Sequence, residues 1–232
     1  MRNPSFQLIL WSALLSGLSA AVLAGEDQGL KAPPKNAVAV PLNVVSLAQD
    51  PIGKPPAQFT FAVTGEGQDI HWEVQLDHFA ATRHPLLIQN GKAEAGDNVA
   101  LALVNGVLLQ NGEMDVRFKV TSGEEDQSAG IVWRYQDPQT YYLARASAKD
   151  DSCSVYRGRK GVLKLLDTQQ ATIMPYTWHD LRVVFVQKNY TVFVDGELVV
   201  GGKDSSFMKA GGVGLCTLSD SVVQFDDIRV SR

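Results

Sequence analysis

The chain has 232 residues, 45% of them hydrophobic and 20% charged, with 20 glycines and a formal net charge of −4. That composition excludes a disordered or fibrous protein and fits one sizeable globular domain, which at this length needs neither a structural metal nor a dense disulfide network. The mild acidity gives no reason to expect a nucleic-acid partner, since phosphate binding is driven by clustered Lys and Arg. A neutral or weakly polar partner is expected instead.

Residues 1–24 differ from everything after them. Arg2 supplies a small positive n-region, Leu8 through Leu18 an apolar stretch, and Val22-Leu23-Ala24 a cleavage site with permitted residues at −3 and −1. The pattern predicts a signal peptide cut after Ala24, and hence an exported protein, periplasmic or secreted. The apolar run is short of the ~20 residues a membrane span requires, so no stable membrane insertion is expected. Residues 25–49 read as a flexible lead-in containing Pro33-Pro34, with Val38 to Leu42 as a possible edge strand. Pro51, Pro55 and Pro56 then punctuate a turn.

From Phe59 onward the apolar period is two and long helical periodicity is absent, which places the sandwich domain at residues 50–232. In His71 to Asp77, Trp72, Val74 and Leu76 share one face and the polar residues the other. Val99 to Val104 precedes Asn105-Gly106, a hairpin signal because both residues tolerate positive φ. Met114 to Val120 alternates again, with Asp115, Arg117 and Lys119 on the polar side. Ala129 to Tyr135 and Tyr141 to Ala146 flank a turn at Gln136 to Gln139, and Leu181 to Val186 and Tyr190 to Val194 flank another at Gln187 to Asn189. Asp195-Gly196 predicts a two-residue type I′ turn before Leu198 to Val200. Gly211 to Leu215 and Val222 to Val230 close the set. In the last strand Phe225 and Ile228 have opposite parity, which predicts a bulge at Asp226-Asp227 or a strand covered on both faces. Many short strands with frequent turns give an all-β, two-sheet antiparallel jelly-roll sandwich. Cys153 and Cys216 sit in two of these strands, and in an oxidising compartment they are candidates for a disulfide; as buried small hydrophobes they need none.

The succession Asn111 to Phe118, Ser128 to Arg134, Trp178 to Val183, Phe193 to Glu197 and Gly211 to Val230 resembles the concanavalin A-like lectin/glucanase superfamily. Within it, the chain resembles the exported 3-keto-disaccharide hydrolase-like domains over about Pro51 to Arg232, a group related to family 16 glycoside hydrolases. The broader resemblance implies a saccharide site on a concave sheet. The narrower one implies hydrolysis or elimination on oxidised disaccharides. Fold alone licenses neither activity.

Retaining glycosidases of this architecture use two carboxylates about 5.5 Å apart. Their Glu-x-Asp-x-x-Glu motif is matched here by Glu113 and Asp115 alone, because Phe118 stands where the last acid belongs. Elimination beside a ketone would instead need a base and a group to hold the enolate, and His71, His78, His84 and His179 are the bases to inspect. None has metal-ligand spacing, so no metal is expected, although Asp195, Glu197, Asp226 and Asp227 leave calcium open as a cofactor. For saccharide binding the candidates are Arg117, Arg134 and Arg145 with Asp115, Tyr135 and Tyr142, since guanidinium forks suit hydroxyls or carboxylates and tyrosines supply stacking faces. Arg117 lies opposite the core-facing Val116, Phe118 and Val120, and the three arginines are expected to converge on one sheet. Three functions follow as alternatives: a saccharide-binding domain, an enzyme on 3-keto disaccharides, and an envelope interaction domain without a sugar ligand.

Overall fold

Period-two alternation becomes strand almost everywhere in the computed structural model, which describes residues 43–64, 71–77, 84–91 and 98–232. The expected leader, the Val38 to Leu42 segment and His78 lie outside the described residues. The strands are β1 (Asn43–Val44), β2 (Phe59–Thr64), β3 (Trp72–Leu76), β4 (Pro85–Gln89), β5 (Val99–Leu109), β6 (Gly112–Ser122), β7 (Ser128–Asp137) and β8 (Thr140–Ser147), followed by β9 (Ser152–Arg159), β10 (Val162–Gln170), β11 (His179–Val186), β12 (Asn189–Val194), β13 (Glu197–Lys203), β14 (Gly211–Leu218) and β15 (Val222–Ser231). No helix occurs among the described residues.

Two antiparallel sheets face each other. One is eight-stranded, in the order β13-β12-β11-β6-β15-β4-β3 with β1 beside β15; the other is seven-stranded, in the order β10-β9-β8-β7-β14-β5-β2. The jelly-roll sandwich expected from the periodicity is therefore observed. Between the sheets Met114, Val116, Phe118 and Val120 of β6 are buried against the inward face of the second sheet. Trp133 stacks on Tyr142 and Phe185 at centroid distances of 5.5 and 6.1 Å. Trp72 lies between Phe61 (6.0 Å) and Phe225 (5.8 Å). Each such side chain contributes about 1.5–3 kcal/mol by leaving water.

The seven-stranded sheet departs from simple alternation. Residues 128–134 of β7 and 141–147 of β8 are buried without interruption. Their outward residues join a second apolar layer, in which Leu101, Val132, Leu143 and Cys216 are buried and Tyr135, Tyr156 and Leu163 pack over them. Strands buried on both faces read as continuous apolar runs.

The cysteine pairing is corrected by this geometry. Cys153 and Cys216 are free and buried, Cys153 in the core between the sheets and Cys216 in the outer layer. Three strand intervals separate β9 from β14, roughly 14 Å against the about 7 Å that a disulfide can span. Burial pushes the Cys153 thiol up to about 12 and raises that of Cys216 as well, so both are poor nucleophiles.

Turns mostly match their signals. Asp195 and Gly196 both have positive φ, 51° and 80°, as a type I′ turn requires. The register of β15 on β6 slips between Asp226 and Arg229, with Asp227 at φ 49°, which is the expected bulge. Asn105-Gly106 makes no hairpin. There β5 runs on to Leu109 and absorbs the extra residues in a register shift against β14, because the β14 partner on either side outweighs the local turn preference.

Candidate functional site

The polar face of β6 points away from the core, and its neighbours in the sheet decide what it meets. Asp115 stands opposite Arg182 of β11 on one side and Arg229 of β15 on the other. Arg117 stands opposite Asp180 and Asp226. Charges thus alternate both along β6 and across the sheet, the cross-strand arrangement that opposite charges favour. Arg182 reaches Glu113 at 2.6 Å and Asp115 at 3.6 Å, while Asp227 lies 3.6 Å from Arg117 and 3.4 Å from Arg229. The β15 bulge sets Asp226 and Asp227 beside this face together, where an unbroken strand would send them to opposite sides.

Two cavities open on this face, and Arg117 lines both. The first, of about 480 Å³, is bounded by Asp115, Asp180, Arg182, Phe193, Asp195 and Arg229. The second, of about 650 Å³, is bounded by His84, Lys119, Tyr176, Trp178, Gln224 and Asp226. In the second, the Trp178 ring lies 5.0 Å from the Arg117 guanidinium and 4.7 Å from the Lys119 ammonium, a cation–π arrangement. His84 Nε2 lies 2.6 Å from Asp226 Oδ2. Gln224 Oε1 is a buried acceptor with no hydrogen-bond partner, a group that costs about 1–3 kcal/mol unless something donates to it.

Asp115 is the perturbed acid of the first cavity. Burial raises its pKa from 3.8 to about 6, Arg182 opposes the rise and Glu113 reinforces it. The folded state therefore favours the protonated form. The stability this confers is fully present below 3.8 and is lost as pH rises through about 6. We expect Asp115→Asn to gain stability relative to the parent between pH 4 and pH 8, by about 3 kcal/mol at most. Urea titrations at the two pH values measure it, and an equal difference at both would contradict it.

The other sequence candidates fall elsewhere. Arg134 is 2% exposed and sits between the sheets at φ 49°. Its Nε donates to the Gln110 carbonyl and one terminal nitrogen to that of Phe207, both at 3.0 Å, and the other to Gln187. Arg145 is on the outer face of the opposite sheet, bonded to Asp126 at 2.7 and 3.0 Å, Asp150 at 3.1 Å and Ser147 at 2.9 Å. Tyr135 stacks with Tyr141 in the outer apolar layer. Tyr142 lies in the core and donates its hydroxyl proton to Asp204 at 2.6 Å. Only Asp115 and Arg117 share a surface; the three arginines do not converge, because Arg134 and Arg145 belong to the other sheet and are satisfied internally.

The residues that complete the groove are Arg182, Phe193, Trp178, Tyr176, Gln224 and the His84 and Asp226 pair. Trp178-His179 stood out in the sequence, but pairing across strands carries no sequence signal. For calcium the fit is poor. Asp195 is engaged by His179 and the Asp180 amide, Asp226 by His84, and Asp227 by two arginines. No group of three or more His, Cys, Asp or Glu suited to a metal ion occurs among the described residues.

The two-sheet antiparallel sandwich is of the concanavalin A-like fold. The chain belongs to the 3-keto-alpha-glucoside-1,2-lyase-like domain family, whose model matches residues 62–231. Among solved structures it is similar to the carbohydrate-binding module CBM66 from Bacillus subtilis, with 16% identity over 68% of this chain and 92% of that one and a TM-score of 0.54. It is also similar to the galectin LEC-6 of Caenorhabditis elegans, with 12% identity over 61% and 94% of the two chains and a TM-score of 0.43. At 16% identity the likeness to the module is one of fold. No curated protein matches the chain.

Proposed function

We propose that this is an exported saccharide-binding domain whose ligand lies in the groove across β6, β11 and β15. The observation that carries the reading is the larger cavity. It brings together two aromatic rings, two cations and a histidine–carboxylate pair around one opening, a stacking face with charged donors and an acceptor for sugar hydroxyls. Family membership and the fold shared with a carbohydrate-binding module support it. Calorimetry with a panel of glucosides and their 3-keto derivatives tests it. We expect Trp178→Ala and Gln224→Ala each to weaken binding about tenfold. Saccharides that give no heat, or bind both variants as tightly as the parent, would remove the assignment. Export rests on the pattern of residues 2–24, and the expected intact mass begins at Gly25.

A second reading, elimination at a 3-keto sugar, is favoured by Asp115. A carboxyl with a pKa raised to about 6 is matched to proton transfer near neutral pH. In that reaction the carboxylate takes the proton beside the ketone and a carbon–carbon double bond forms. The glycosidic oxygen departs with its electron pair, while Arg117 and Arg182 face the enolate charge. Formation of an unsaturated ketone from a 3-ketoglucoside, abolished in Asp115→Asn, separates catalysis from binding.

A further inference from the structure

His179 is absorbed by neither reading, yet it is bonded to Asp195 and to the segment that leads to Trp178. It is 7% exposed and leans on Phe118 of β6 at a centroid distance of 5.7 Å. Nδ1 lies 2.7 Å from Asp195 Oδ2, and Asp195 lines the smaller cavity. Nε2 faces the backbone of Met174, 3.0 Å from its nitrogen and 3.2 Å from its carbonyl oxygen. Met174 belongs to the segment 171–178, which carries Tyr176 and Trp178 to the larger cavity. The segment is also fastened at its start, where the Ala171 and Ile173 amides donate to the Asp151 carbonyl at 2.9 Å and carboxylate at 3.2 Å, and at Tyr176, whose amide donates to the Val120 carbonyl at 2.8 Å with φ 62°.

The two Met174 contacts exclude one another. A neutral ring with its proton on Nδ1 donates to Asp195 and accepts the Met174 N–H at Nε2. A protonated ring keeps the Asp195 bond but carries a proton on Nε2, which must be donated to the Met174 carbonyl while the Met174 N–H loses its acceptor. Among the described residues, Asp195 from the β12–β13 turn is the charged group bonded to the ring; β6 presents Phe118 and the 171–178 segment presents backbone. The geometry points to His179 as a positioning residue for Tyr176 and Trp178, one whose protonation exchanges its bond to Met174 and shifts the segment that bears them. The link to ligand affinity rests on the saccharide reading, whereas the exchange of bonds does not.

The test is therefore made first without ligand. Nuclear magnetic resonance follows the His179 ring nitrogens, the Met174 amide and the Trp178 indole of the mature protein as pH is lowered across the range in which it stays folded. All three are expected to move with one midpoint, and the Met174 and Trp178 movements to vanish in His179→Phe. A ring that changes protonation state while Met174 and Trp178 stay still would overturn the proposal, and so would a ring that keeps one protonation state throughout. Should the variant fail to fold, the parent's three curves still decide. For any saccharide that binds, affinity is expected to change about fivefold or more across the same midpoint. If none binds at any pH, the saccharide reading fails and the spectroscopic result stands by itself.

Discussion

Replacing Arg134 by methionine is expected to lower the stability of the domain by about 4 kcal/mol or more, with no direct effect on the groove. Its guanidinium bonds three backbone carbonyls, those of Gln110, Phe207 and Gln187, which belong to three separate connections between strands. A hydrogen bond from a charged donor is worth about 1.5–3 kcal/mol, and here three are removed at once. No carboxylate pairs with Arg134 among the described residues. Burial lowers its pKa, and the carbonyl dipoles and the Phe185 ring 5.7 Å away are what hold the charge. Lysine recovers little, since one ammonium cannot reproduce a planar fork aimed at diverging oxygens. Denaturant midpoints of the parent, methionine and lysine variants measure this. A loss below about 1 kcal/mol would mean that the ends of the sandwich relax around the gap.

The second large effect is expected at Arg145. Burial works against its charge, but Asp126 and Asp150 outweigh that and raise its pKa. Asp126 is itself nearly enclosed, with 10% side-chain exposure. Arg145→Ala leaves that carboxylate without its counter-charge, and breaking a buried pair from one side costs about 3–5 kcal/mol. Removing both charges, as Arg145→Met with Asp126→Leu, is expected to recover a large part of the loss, because no buried carboxylate is then left without a counter-charge. A double variant no better than the single one would show that Asp126 matters for more than the pair. It also accepts the Gln127 amide, in a loop where Asp220 receives the amides of Glu124, Glu125 and Asp126.

The sequence is most informative where a single strand carries the signal. Alternation in Met114 to Val120 identified the buried face of β6, the glycine and aspartate at 195–196 identified a turn, and the parity change after Phe225 located the bulge. It is least informative where two strands must meet. β4 and β10 were not anticipated, since Pro85 opens the one and the other alternates poorly at the sheet edge, where its residues are mostly exposed. Asp115 and Arg117 were legible as an outward polar pair. Their partners Arg182, Arg229 and Asp180 come from segments more than sixty positions later in the chain, and only the register brings them together. The error with Arg134 and Arg145 has one cause. An arginine inside an apolar strand was taken for a ligand contact, when each is the internal donor to groups its own fold would otherwise leave unpaired.

The places taken by the last two strands govern when this chain can fold. β14 lies between β7 and β5, and β15 between β6 and β4, so residues 211–231 form the seam of both sheets. Before they leave the ribosome each sheet exists as two pieces with open edges, and the ladders that join them cannot form. Loop-closure entropy must be met for pairings as distant as Phe225 with Leu87 before contact rewards it. Neither sheet can therefore be completed until the final two strands are present, and whatever forms before them keeps its edges open.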